Sequence, residues 1–166
     1  MRSIEDQLIL HEGLRLKPYK CPAGKWTVGV GRNLEAKGLT KEEKERILGV
    51  GGLSKLEVID VLLERGISEN EALFLLRNDI EEVTAQLERF DWFRALGPVR
   101  RKVLVDMAFN LGMSGLLGFQ KMIEALKQSD YQAAADEMVS SKWYRQVGER
   151  GRRLERMMRT GEDYQV

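Results

Sequence analysis

A chain of 166 residues with 43% hydrophobic and 32% charged side chains has the make-up of an ordinary soluble globular protein, long enough for one substantial core or two lobes sharing one. That balance excludes intrinsic disorder. Cys21 is the only cysteine and His11 the only histidine, so an internal disulfide and a Cys/His metal site are excluded as well.

The net charge of +1 conceals a division along the chain. Residues 1–51 carry 10 basic and 7 acidic side chains, residues 52–93 carry 4 and 10, and residues 94–166 carry 13 and 9, so the ends are basic and the middle acidic. A polyanion would be attracted mainly at the two ends, and this is no strong nucleic-acid signature. No apolar run is long enough for a signal peptide or a membrane span, and the protein is expected to be made without an export signal of its own.

In chain order, Ser3 followed by Asp6 resembles a capping box and predicts a first helix over residues 4–11. Ile4, Leu8 and Glu12 recur every fourth residue, and Gly13 suits the left-handed conformation that closes helices. Glu12 is therefore expected to face inward at a helix C-terminus. Partial burial and the negative end of the helix dipole both favour a neutral carboxyl, the state that a general acid needs. The alternative is a solvated helix-ending glutamate.

From Leu14 to Asn33 the period changes to that of strands, with PAGK after Cys21 supplying a turn, and a β-hairpin is predicted. Trp26, Val28 and Val30 would line one face and Thr27, Gly29 and Gly31 the other. Two glycines on one face point to a close approach to the backbone, by an extended polymer in a cleft or by simple packing. Thr40 with Glu43, Ser54 with Glu57 and Ser68 with Glu71 then predict helices over 41–48, 55–65 and 69–89. The last would be about 30 Å long and would connect two lobes. Pro98 is placed for the first turn of a helix running to Leu111 and Gly112. Shorter helical pieces follow at 114–118, 120–127, 131–140, 143–147 and 149–159. The segment from Lys142 to Arg159 carries seven basic residues against Glu149 and Glu155, a basic face read as attraction to an anionic polymer or as a solvated helix surface.

HEGLRLKPYKCPAGKWTVGVG resembles the N-terminal active-site segment of phage-type lysozymes, the T-even phage endolysin family of glycoside hydrolases. The runs VRRKVLVDMAFNLG, GLLGF, SSKWYRQ and MRTG resemble that family's C-terminal lobe in the same order. The family pattern of a glutamate, eight residues, an aspartate or cysteine, five residues and a threonine is met by Glu12, Cys21 and Thr27.

The resemblance implies an α+β, predominantly helical fold: a small N-terminal lobe with a β-hairpin sheet (1–68), a long connecting helix (69–90) and a larger all-helical C-terminal lobe (91–166), forming one cooperative unit. It implies hydrolysis of the β-1,4 bond between N-acetylmuramic acid and N-acetylglucosamine in peptidoglycan, with Glu12 as general acid and Cys21 and Thr27 positioning water or stabilising the transition state. It further implies a supporting ion pair between Arg150 and Glu12, and saccharide contacts from Phe109 and Asn110, whose other reading is helix packing. No cofactor or metal is implied. The expected partner is bacterial peptidoglycan, with no nucleic acid, no membrane insertion and a monomeric chain, held in the host cytoplasm until its release to the cell wall.

Two departures stand out. Cys21 occupies a position where many relatives carry aspartate, and a thiol of ordinary pKa, about 8.5, is mostly neutral at pH 7. Arg32 replaces the histidine of GVGH, so that residue's contacts cannot be carried over. A catalytically silent peptidoglycan-binding protein, or a transglycosylase leaving anhydro-sugar ends, is the competing reading.

Overall fold

The computed structural model describes residues 2–165, and the chain divides into two compact units. One runs from Glu5 to Asp79; the other runs from Ile80 onward and includes the residues up to Ile4. The architecture is α+β and predominantly helical, as the periodicity predicts.

The first unit opens on α1 (Ile4–Glu12), closed where Gly13, at φ +79°, donates its N–H to the Ile9 carbonyl at 2.8 Å. Strands β1 (Arg15–Lys20), β2 (Trp26–Gly29) and β3 (Arg32–Asn33) then form an antiparallel sheet in the order β1-β2-β3. Arg15 pairs with Gly29 and Tyr19 with Thr27, so β1 spends four steps where β2 spends two. The bulge contains buried Pro18, a residue with no N–H to offer a ladder.

Helices α2 (Lys41–Leu48) and α3 (Lys55–Arg65) begin at reciprocal capping boxes, Thr40 with Glu43 and Ser54 with Glu57. The same exchange opens α4 (Glu69–Leu87): Ser68 donates its N–H to Glu71, and Glu71 donates its N–H to the Ser68 hydroxyl at 3.0 Å. Val28, Leu34, Ile47, Val58, Leu62, Ala72 and Leu75 make the core of this unit. These helices have the predicted limits, except that α4 stops two residues short of 89.

The sheet differs from the expected hairpin in two ways. It has a third strand, too short for any periodicity to register. The predicted strand also ends early: Gly29 closes β2 opposite Arg15, at φ +67°, and Gly31 lies in the turn into β3, at φ +74°. Val30 is thus a turn residue, and buried. Gly29 packs against the protein itself, and a Cβ there would make ordinary contact at 3.7 Å with both Ala72 and Ile67, so it is the positive φ that calls for glycine.

In the second unit, α5 (Asp91–Arg94) leads to α6 (Pro98–Leu117), with Pro98 at its first turn. Gly112 breaks α6 at φ +76°, ψ 161°, where the sequence ends one helix and starts the next. Helices α7 (Gln120–Lys127), α8 (Tyr131–Val139), α9 (Lys142–Val147) and α10 (Glu149–Thr160) complete it. Its core is drawn from all of these, with Val83 and Leu87 of α4 packed in. The Lys102 ammonium binds Asp163 at 2.7 Å, and Asp163 also accepts the Arg2 N–H at 2.8 Å, clasping the first residues to the last. No single helix among the described residues is long and apolar enough to cross a bilayer.

Candidate active site

Strand alternation determines which side chains share a face of the small sheet. Directly opposed residues in an antiparallel pair project to the same side, as do residues two apart on one strand. Thr27 is opposed by Tyr19 on β1 and by Asn33 on β3, and Cys21 follows Tyr19 by two. One face therefore carries Tyr19, Cys21, Thr27 and Asn33. The other carries Lys20, Trp26, Val28 and Arg32, and the Lys20 ammonium lies 5.0 Å from the Trp26 ring centroid.

On the first face, Cys21 begins the turn between β1 and β2. Its N–H donates to the Lys25 carbonyl at 3.0 Å, and its carbonyl accepts the Gly24 N–H at 2.8 Å, a three-residue loop with Gly24 at φ +78°. The Cys21 thiol is held below its ordinary value, chiefly by a backbone hydrogen bond from Lys25. Desolvation opposes this, and hydrogen bonds from Ala23 and the Thr27 side chain assist it. Thr27 is buried, 4% exposed, and donates its hydroxyl to the Lys25 carbonyl at 3.0 Å. A hydroxyl has one proton, so an ionised Cys21 and the Lys25 carbonyl compete for it.

Glu12 ends α1 and is half-buried. It lies within electrostatic reach of Tyr19, whose phenol is pushed above its ordinary value first by burial and then by the Glu12 charge, with Arg15 opposing and Cys21 adding. The structure thus places Cys21 and Thr27 on one sheet face, with Glu12 within electrostatic reach of Tyr19 on that face, a residue that sequence reasoning passed over. Its signal was present: alternation places it on the face of Cys21.

Asn33 is occupied by its own loop, its side-chain oxygen accepting the N–H groups of Glu35 and Ala36 at 2.9 and 2.8 Å. Among the described residues no group of three or more His, Cys, Asp or Glu side chains could hold a metal ion.

On the other face, Arg32 is 2% exposed and spends its donors inside the protein. It forms a fork with Glu43 at 2.8 and 2.9 Å, a second with Asp79 at 3.0 and 2.9 Å, and bonds to the Gly38 and Leu75 carbonyls. Asn78 adds a hydrogen bond to Glu43, and the Lys37 ammonium pairs with Asp79. Burial alone would raise the Glu43 carboxyl, but Arg32, Asn78 and the Thr40 N–H outweigh it and hold it at about 2.

The remaining expected residues belong to the second unit. Phe109 is half-buried on α6, just ahead of the Gly112 break. Asn110 is exposed, with its oxygen accepting the Trp143 indole N–H at 2.8 Å. Arg150 grips fully buried Asp106 at 2.8 and 2.9 Å. The basic face from Lys142 to Arg159 is partly neutralised: Arg152 and Arg156 meet Glu149, and Arg159 meets Glu155 and Asp136.

Residues 10–160 match the family model described as phage lysozyme. The chain is 28% identical over 164 residues to the probable T4-type lysozyme 1 of Dictyostelium discoideum, covering 96% of this chain and 95% of that protein. It is 29% identical over 149 residues to an endolysin of Acyrthosiphon pisum secondary endosymbiont phage 1, covering 86% and 80%. It is also 27% identical over 169 residues to the pre-baseplate central spike protein Gp5 of Enterobacteria phage T4, where the match spans 96% of this chain and 28% of that larger protein.

Proposed function

The chain belongs to the phage lysozyme family and is a glycoside hydrolase of the lysozyme type; from that premise we propose that it hydrolyses the β-1,4 bond between N-acetylmuramic acid and N-acetylglucosamine in bacterial peptidoglycan. Glu12 is the general acid, giving its proton to the glycosidic oxygen as that oxygen leaves C1. Cys21 and Thr27 serve the other half of the reaction. The thiolate and the hydroxyl hold the incoming water and face the positive charge that grows at C1.

What supports this reading is the sheet face that Cys21 and Thr27 share, on which backbone donors favour the thiolate, with Tyr19 of that face within electrostatic reach of Glu12. A neutral thiol could not replace a carboxylate in this role; an ionised one supplies the same negative charge. Phe109 and Asn110 contribute saccharide contacts in this proposal, by their match to the family pattern.

The test is release of reducing ends from purified peptidoglycan, with product masses, by the wild type and by Glu12→Gln. Glu12→Gln is expected to lose about 100-fold or more in rate with its melting temperature unchanged. Equal rates for the two proteins would remove Glu12 from the role of acid, and anhydro-sugar products would replace hydrolysis with transglycosylation.

A further inference from the structure

The proposed mechanism leaves two residues of the site face unused, Asn33, which is committed to its own loop, and Tyr19. Tyr19 is half-buried on β1, directly opposed to Thr27 and two residues before Cys21. One face of its ring is covered by the Arg15 guanidinium, 4.6 Å from the centroid, which holds the ring across the β1 bulge. Its neighbours on the same face have their polar atoms tied to the protein: Thr27 to the Lys25 carbonyl, and Asn33 to the Glu35 and Ala36 N–H groups. Among the described residues the Tyr19 hydroxyl hydrogen-bonds to none.

A tyrosine that serves packing buries its ring and gives its hydroxyl a protein partner. Tyr19 instead offers an apolar ring edge and an uncommitted O–H on the face of Cys21 and Thr27, within electrostatic reach of the acid. An N-acetylhexosamine chain presents the complementary chemistry: sugar hydroxyl and acetamido carbonyl oxygens as acceptors, and C–H surfaces between them. We infer that Tyr19 is a substrate-contacting residue of this site, donating its phenol hydrogen bond to an oxygen of the saccharide bound between Glu12 and Cys21. The inference rests on the saccharide-hydrolysing reading above. It adds a contact made equally in the ground and transition states, so its loss weakens binding and leaves the chemical step alone.

The experiment compares wild type with Tyr19→Phe, which keeps the ring and removes only the O–H, on solubilised peptidoglycan chains. The expected result is a KM raised about five- to tenfold, with kcat within about twofold and the melting temperature unchanged. A second arm uses inactive Glu12→Gln with and without Tyr19→Phe in co-sedimentation with insoluble peptidoglycan. There Tyr19→Phe should weaken binding by the same factor. An unchanged KM, or a loss confined to kcat, overturns the inference, as does unchanged co-sedimentation. If the wild type releases no reducing ends, the hydrolytic reading fails, and the co-sedimentation arm still decides on Tyr19.

Discussion

The two faces of the small sheet carry polar residues under opposite conditions. Arg32, on one face, is buried and meets two carboxylates and two carbonyls, so none of its hydrogen-bonding capacity is left for a ligand. On the other, Tyr19 has an uncommitted hydroxyl and Cys21 a thiol that backbone donors bias toward ionisation. The strands are the same and the spacing between faces is one residue. The difference is what each side is asked to do: a buried charge is tolerable only when every partner is present, whereas a reacting group has to keep some capacity in reserve. Alternation lets one short strand pair meet both demands.

Breaking the Arg32 face should have the largest effect on stability. Arg32→Met leaves Glu43 and Asp79 buried with their main cation gone, and is expected to cost about 3–5 kcal/mol in urea-induced unfolding. Adding Glu43→Gln to Arg32→Met should recover part of that loss, because the uncompensated charge is the main penalty. A double variant no more stable than Arg32→Met would show that the network acts through shape instead of charge.

The same face sets an acid limit of smaller size. Glu43 titrates at about 2 in the folded protein against 4.5 for the unperturbed group. A depressed carboxyl contributes stability that is present above the unfolded value and is lost as pH falls through the folded one. Stability should therefore decline from about pH 4.5 toward pH 2, with Asp163 and Glu71, both also lowered, acting in the same direction. Glu43→Gln should cost about 2 kcal/mol at pH 7 and little at pH 2. Parallel wild-type and variant curves across that window would exclude Glu43 as the titrating group.

The helical framework was legible because its signals are local. Three capping boxes and Pro98 set helix starts, and Gly112 set a break, each through groups within four residues. The family spacing named Glu12, Cys21 and Thr27, and alternation could have named Tyr19. What stayed hidden depends on residues distant in the chain. Arg32 reads as an unexplained replacement until Glu43 and Asp79, 11 and 47 residues away, close on it. The paired glycines left an extended polymer and simple packing both open, and only the fold shows that Gly29 packs against Ala72 of α4, 43 residues away. A two-residue strand such as β3 has no period to detect; its pairing with β2 alone defines it.

The thiol of Cys21 gives the smallest effect and the finest test of the comparison. If the site face works by holding charge in reserve, the ionised sulfur is the working form, and its lowered titration makes more of it available at neutral pH than an ordinary cysteine would have. Wild-type activity should then climb with pH as the thiol ionises, below the range of a free cysteine. Cys21→Ser, whose hydroxyl does not ionise there, should be about tenfold slower and lack that climb. Cys21→Asp, ionised from mild acid upward, should keep a useful fraction of activity and also lack it. Alkylation of the thiol should abolish turnover, but added bulk would do the same, so the pH profiles carry the argument. A fully active Cys21→Ser enzyme with the wild-type profile would take the sulfur out of the mechanism and leave Thr27 to hold the water without it.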